Sequence, residues 1–462
     1  VLARSAVRRE VAERSGLVYG QHVARLVSFL LFMRFMNDEG CFYNGRQPAP
    51  MAWFNWFEEP TIIEVRPIEL ILLTILLIAF LRGPKSPALV RPMKNALLMV
   101  LVTTVVWFIF GLSRGGQFRF ACWQTYPILS FVLVSFTVAA TFHKSSDFYA
   151  LGKWLVAAAT YRATMCWIAY FTWGRSLVGE SGAFLTSHDD TIPWVVSVVI
   201  LVLDAIEHKS ALIKLRNSAL VLFLLGAIQW NSRRLAWVSL AMGLVAMYVL
   251  LPRGAIKRRI NRLLLVGAPL LLLYVAIGWG RANPIFLPLR SLSTVTTQED
   301  GSTLARNAEN LGLIATANYS NAALGTGWGK PYVYLTLKYD ISSFELWRYV
   351  PHNSILGLLA FTGFLGFAGF WLPFPAAIFL NARIARLTHD PRARRVAIIG
   401  AAQMLVAANQ LYGDMGLFFL RPMVALAVSY AIAMRLPPIA GVWEPASPKV
   451  STLGRAPAPA RG

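Results

Sequence analysis

Apolar runs long enough to cross a bilayer alternate with short polar links along almost the whole chain. With approximate ends, they cover 67–82, 95–113, 122–142, 147–173, 192–206, 211–230, 235–251, 262–280, 353–381, 396–412 and 415–434. An α-helix rises about 1.5 Å per residue, so roughly 20 apolar residues span the hydrocarbon core. The pattern predicts an all-α polytopic membrane protein. A further segment, 17–36, carries His22, Arg25 and Arg34, and reads either as a twelfth span or as an amphipathic helix lying in the interface.

One long interruption, the mixed stretch 281–351, is too polar for lipid and is expected to form a single large extramembrane loop. It divides the chain into membrane helices over 1–280, the loop over 281–351, and membrane helices over 352–436. The Pro-, Ala- and Arg-rich tail 437–462 is expected to be disordered. Leu26 to Met36 is followed by Asn37, Asp38 and Glu39 instead of a small-residue cleavage site, so no signal peptide is read there.

Composition agrees with a membrane solvent: 56% of the 462 residues are hydrophobic and only 14% are charged. A net charge of +22 would suggest a nucleic-acid partner in a soluble protein. Here the basic residues stand in short links between apolar runs, which points to membrane topology instead. If 17–36 spans with its start inside, the inner links hold Arg82, Lys85, Arg91 and Lys94; Lys209, Lys214 and Arg216; Arg253, Lys257, Arg258, Arg259 and Arg262; and Arg383, Arg386, Arg392, Arg394 and Arg395. Basic loops are retained in the cytoplasm. Both termini are therefore expected there, and loop 281–351 on the opposite face. Trp53 and Trp56 suit an interfacial belt after the first span. The three cysteines form no Cys-x-x-Cys pair and no His/Cys cluster, so neither a metal nor a cofactor is expected.

Candidate chemistry gathers on the outer face. His352, in Pro351-His352-Asn353, stands where the loop meets the next span. An imidazole at that boundary can exchange protons near neutral pH with a substrate whose tail lies in lipid. Basic residues that break the topology rule stand on the same face: Arg114 and Arg119, Arg233 and Arg234, and Arg421. An arginine in a spanning helix costs roughly 2.5–3.5 kcal/mol on insertion scales, so something should compensate. A lipid diphosphate would, because guanidinium binds phosphate oxygens in bidentate fashion and neutralises a leaving group. The competing reading has these arginines bind ordinary lipid headgroups or pair with Glu180, Asp189, Asp190 or Asp414. His188, in Ser-His-Asp-Asp, reads as a loop histidine and not as a catalyst.

His352-Asn353, nine residues, then Gly363-x-x-Gly366-Phe367 resembles the signature of the O-antigen ligase and polymerase superfamily, found there after the large periplasmic loop. Two further stretches resemble the same superfamily. One is Arg306-x-x-Glu309-Asn310 followed by Asn321-Ala-Ala-Leu-Gly-Thr-Gly-Trp-Gly329; the other is the arginine motif Asn231-Ser-Arg233-Arg234-Leu-Ala-Trp237, in which either arginine matches the family's essential one. The likeness covers roughly 210–435. It implies a GT-C-like, metal-independent, inverting glycosyltransferase of the bacterial inner membrane. The donor would be undecaprenyl-diphosphate-linked glycan, and the acceptor the lipid A core, a second lipid-linked glycan or a protein hydroxyl, with ligase placed first. Surrounding membrane lipids are the remaining partners. On this reading His352 is the catalytic base and Arg233 or Arg234 holds the diphosphate, with help from Arg114, Arg119 and Arg421. Asn353 orients the acceptor or caps its helix, and capping is preferred. Arg306 and Glu309 are expected to pair and shape the loop. The glycines spaced by three have a plainer reading as a helix-packing face.

Overall fold

The computed structural model describes residues 20–36, 65–82, 89–174, 185–231, 233–281, 283–286, 288–289, 293, 301–335 and 346–443. The motif residues Trp53, Trp56, Glu180, Cys41 and Lys85, and the tail beyond 443, lie outside them. Among the described residues the regular structure is helical, and seven helices are long and apolar enough to cross a membrane.

Helix α1 covers 20–36, followed by α2 (Pro67–Arg82), α3 (Arg91–Ser113), α4 (Phe118–Thr141) and α5 (Ser145–Ala169). A single π-helical turn, Tyr170–Gly174, ends α5. Then come α6 (Thr191–Glu207), α7 (Ala211–Trp230), α8 (Arg234–Leu250) and α9 (Ala255–Gly278). Within the polar loop lies α10 (Gly301–Tyr319), and the chain closes with α11 (Ser354–Trp371), α12 (Pro373–Leu387), α13 (Pro391–Gly413) and α14 (Leu420–Ile439). Helix α14 runs on through Pro437 and Pro438 to Ile439, so the ordered chain extends past the expected boundary at 436.

Helix α14 forms the centre, packed on α4 and α13 and buried from Leu420 to Pro437. At the other extreme, the spanning window of α9 has no buried residue, and its leucines face outward. That contrast is what a lipid solvent permits: apolar side chains need no protein cover, while polar groups must find partners inside. Arg435 of α14 does so by donating to the Phe142 carbonyl (3.0 Å) and to His143 Nδ1 (2.8 Å).

The bundle has two chemically distinct ends. At one, α6 meets α7, α8 meets α9 and α12 meets α13; Ser145 Oγ donates to Asp390 (2.7 Å), and Arg395 pairs with Glu207 and with Asp204 (3.5 Å). The basic links found in the sequence are at this end. Helix α1 starts here, with Gly20 against His143, and its Phe29 and Phe32 meet the Trp154 ring edge-on and tilted. Toward its far end Arg34 forms a buried ion pair with Glu69 of α2. It therefore runs lengthwise from the basic end toward the opposite one, with Leu26 and Phe29 exposed on its outer side.

The other end is closed by the long loop. Helix α10 packs against α11, and the segment 321–329 enters a break in α11 at Gly363. Thr326 and Gly327 amides donate to the Ala360 and Phe361 carbonyls (3.2 and 2.8 Å), while Phe364 and Leu365 amides donate to Ala322 and Ala323 (2.9 and 3.1 Å). A helix opened in this way must have its freed backbone groups satisfied again, and the loop does that. Both Gly363 (φ 59°) and Gly325 (φ 66°) are packed tightly here: a Cβ on Gly325 would lie 2.6 Å from the Gly363 amide nitrogen, and one on Gly363 2.4 Å from the Ala323 carbonyl carbon. Gly366, one turn on, meets Thr362 and Trp107 and does act as a packing residue. The first glycine of the Gly-x-x-Gly pair is thus a hinge for the loop, and only the second fits the packing reading.

Candidate functional site

Four segments of the chain converge at the loop end: the loop helix α10, the start of α11, the turn between α13 and α14, and the segment before α6. Glu309 lies on α10, only 2% exposed, and its carboxylate accepts from the backbone amide of His352 (3.1 Å). The same carboxylate lies 3.2 Å from His352 Nδ1 and accepts from the Tyr332 hydroxyl (3.1 Å). Burial and Glu309 hold the Tyr332 phenol well above its ordinary value, so it stays a neutral donor. A carboxylate facing Nδ1 favours, for the neutral ring, the tautomer that carries its proton there and leaves Nε2 free to accept one. The His352 side chain is 25% exposed, so the imidazole is held but accessible.

A second His–carboxylate pair stands beside the first. His188 Nδ1 is 2.6 Å from Asp414 Oδ2, and Arg306 Nη2 is 3.6 Å from Asp414 Oδ1. The two pairs are joined by the backbone, since the Met415 amide donates to the His352 carbonyl (2.8 Å). Met415 adopts φ 58°, a left-handed conformation costing an L-residue roughly 1–2 kcal/mol. Such strain gathers where a turn must deliver a side chain to a fixed place, here Asp414.

Charge in this cluster is balanced around Asp414. Burial would raise its carboxyl, but His188, Arg233 and Arg306 outweigh that and hold it well below the usual carboxylate range. Burial lowers the His188 imidazole, opposed by Asp414 and aided by Arg233 and His352. Burial brings the Arg233 guanidinium down to about 10, with Asp414 opposing, so it remains cationic at neutral pH. Arg233 is the N-cap residue of α8 and Arg234 its first residue, both half-buried. Asn231, from the same motif, ties in the His188 segment by accepting from the Thr186 amide (2.9 Å).

The structure rearranges several sequence-based expectations. Arg306 and Glu309 do not pair with each other: one helical turn apart, they diverge to Asp414 and His352. Arg421 is 1% exposed and bound to Asp190 (2.7 Å), which also takes Arg162 (2.7 Å). Its charge is compensated inside the protein, which replaces the phosphate role with the pairing alternative. Asn353 is buried, and its side chain accepts from the Leu356 amide (3.1 Å), so it caps α11 instead of reaching a substrate. Arg114 and Arg119 are exposed in the α3–α4 turn, which packs on the loop segment through the Gln117 amide and Gly329 carbonyl (2.8 Å). They stand at the same end of the bundle, at its rim.

His188, Asp414 and Tyr332 belong to the site although the sequence did not single them out as functional. The available signal for Asp414 was an acid in a two-residue gap between apolar runs. Tyr332 offered none. Among the described residues, no group of three or more His, Cys, Asp and Glu side chains is arranged to hold a metal ion. No protein-family model matches the chain, and no curated protein matches it significantly.

Proposed function

We propose that this chain is a membrane glycosyltransferase that moves a glycan from undecaprenyl diphosphate to a hydroxyl acceptor. The observation that carries the reading is the Glu309–His352 pair, set beside Arg233 and Arg306 at the end of the bundle opposite the basic links. His352 Nε2 takes the acceptor proton as that oxygen attacks the anomeric carbon. The bond from that carbon to the diphosphate breaks, the new glycosidic bond forms with inversion, and the proton passes on to solvent. Positioned base catalysis contributes typically 10²–10⁴ in rate. Glu309 keeps the imidazole in the required tautomer and steadies its positive charge. Arg233, with Arg234, neutralises the departing diphosphate, and Arg114 and Arg119 are placed to meet it at the rim.

In this reading about twelve helical passages cross the bilayer, counting α11 with α12 as one and leaving α10 outside, in a GT-C-like arrangement. The basic end faces the cytoplasm and the His352 end the periplasm. O-antigen ligase, with lipid A core as acceptor, is our first choice, and a polymerase adding to a second lipid-linked repeat is the alternative. A lipid-glycan transporter would place essential charges near the midplane. Arg162 and Asp204, the charges inside spans that could serve it, are engaged separately, Arg162 with Asp190 and Asp204 with Tyr149 (3.1 Å) and Asn217 (2.9 Å).

The test is transfer by the purified full chain in proteoliposomes, with lipid-linked glycan and three acceptors offered in parallel: core lipid, a second repeat unit and a serine-containing peptide. Product on the core lipid alone supports the ligase, and product on the repeat unit the polymerase. No product on any acceptor, with donor intact, removes the proposal.

A further inference from the structure

The proposed chemistry leaves unused a cavity of about 700 Å³ enclosed mainly by α5, α6, α7, α13 and α14. It lies toward the basic end of the bundle, away from His352. Its walls are apolar, with Ile200, Leu220 and Val428 among them, and its charged residues, Lys153, Asp204, Arg216 and Arg395, come from the helix ends at one side. The size falls within the roughly 300–1,000 Å³ of small-molecule sites. An apolar space of this volume holds water poorly, because water there lacks polar partners. In a bilayer, hydrocarbon is at hand to fill it. Helix α7, which forms one wall through Ile213, Arg216 and Leu220, has a spanning window only 22% buried and turns Leu212, Leu215 and Leu222 outward, so the cavity lies next to the lipid-facing surface.

The charged side of the cavity is not uniformly neutralised. Arg395 is neutralised by Asp204 and Glu207. Among the described residues, no carboxylate forms an ion pair with Lys153 or Arg216. Lys153 lies over the Tyr149 ring (5.0 Å), Arg216 donates to Asn217 Oδ1 (2.9 Å), and both are exposed. Two cations above an apolar chamber match a lipid with an anionic head and a hydrocarbon tail.

We infer that this cavity is a binding site for one anionic glycerophospholipid of the adjacent leaflet, an acyl chain filling the chamber and its phosphate held by Lys153 and Arg216. The full chain, purified in detergent, would be titrated by native mass spectrometry with phosphatidylglycerol and phosphatidylcholine of identical chains. Wild type should retain phosphatidylglycerol preferentially. A basic residue near an anionic surface contributes roughly fivefold in affinity, so K153Q/R216Q should lose about thirtyfold for phosphatidylglycerol and little for phosphatidylcholine. A Cβ on Gly152 would lie 3.8 Å from Ile200 Cδ1, so G152L fits and projects into the cavity region; it should weaken both lipids with the rim charges intact. R392Q removes an exposed cation of the same end that does not line the cavity, and should change nothing. Equal retention of the two lipids, unchanged binding by K153Q/R216Q or G152L, an equal loss in R392Q, or displacement by stoichiometric undecaprenyl phosphate would each overturn the inference.

Discussion

Replacing Glu309 with glutamine isolates the charge that the account places behind His352. The carboxylate receives two hydrogen bonds from His352 on Oε2, at 3.1 Å from the amide and 3.2 Å from Nδ1, and one from Tyr332 on Oε1 at 3.1 Å. The Tyr332 hydroxyl also lies 2.7 Å from the Trp347 carbonyl, so it can donate there and accept from a glutamine amide. Glutamine can therefore keep its oxygen toward His352 and its nitrogen toward Tyr332, preserving the geometry while losing the negative charge. A hydrogen bond to a charged group is worth about 1.5–3 kcal/mol, and 1.36 kcal/mol is tenfold in rate. The transfer rate should fall roughly 10- to 150-fold with KM for the lipid-linked donor nearly unchanged. Tyr332→Phe, which removes one bond to the carboxylate but leaves its charge and both His352 contacts in place, should lose less than Glu309→Gln. The assay is product formation in proteoliposomes under saturating donor, on variants matched for detergent melting temperature. A Glu309→Gln rate within about twofold of wild type would show that the carboxylate does not support the base.

Three further outcomes follow from the same geometry. Arg233→Ala and Arg234→Ala should raise the KM for lipid-linked donor, and Arg383→Ala, exposed near the basic end, should not; equal effects would refute the diphosphate role. Gly363→Ala puts a Cβ 2.4 Å from the Ala323 backbone at φ 59°, so it should cost at least about 1–2 kcal/mol and lower the melting temperature, whereas an unchanged melt would contradict the stitched break in α11. His188 titrates below its ordinary value in the folded chain, so the unfolded chain takes up its proton first and stability falls as pH drops below about 6.5; Asp414, also lowered, adds its loss below about pH 4. His188→Gln should flatten the melting temperature between pH 7 and 5, and a slope equal to wild type would be inconsistent with the lowered imidazole.

Helix positions were legible in the sequence because a spanning helix needs a long apolar run, and lipid imposes that requirement on each segment separately. The ends were less so: α13 begins at Pro391, before the apolar run at 396, because its first turn reaches into water and carries arginines. The place of His352 was readable as a boundary between loop and span. Its partner was not, since Arg306 and Glu309 look like a natural ion pair one turn apart until tertiary structure turns each to a different residue. Arg421 shows the opposite case. A cation in an apolar helix demands compensation, but sequence cannot say whether a ligand or Asp190 supplies it. The Gly363 break was hidden for a similar reason: a glycine in an apolar run suits helix packing until the loop segment 321–329 is seen to enter there.

The most direct measurement of the central claim is release of undecaprenyl diphosphate from lipid-linked glycan by purified wild type and His352→Ala, side by side in proteoliposomes with acceptor present. The account predicts acceptor-dependent release by wild type and its loss, by about 10² or more, in a variant that remains inserted and folded. Equal release by the two proteins would contradict it.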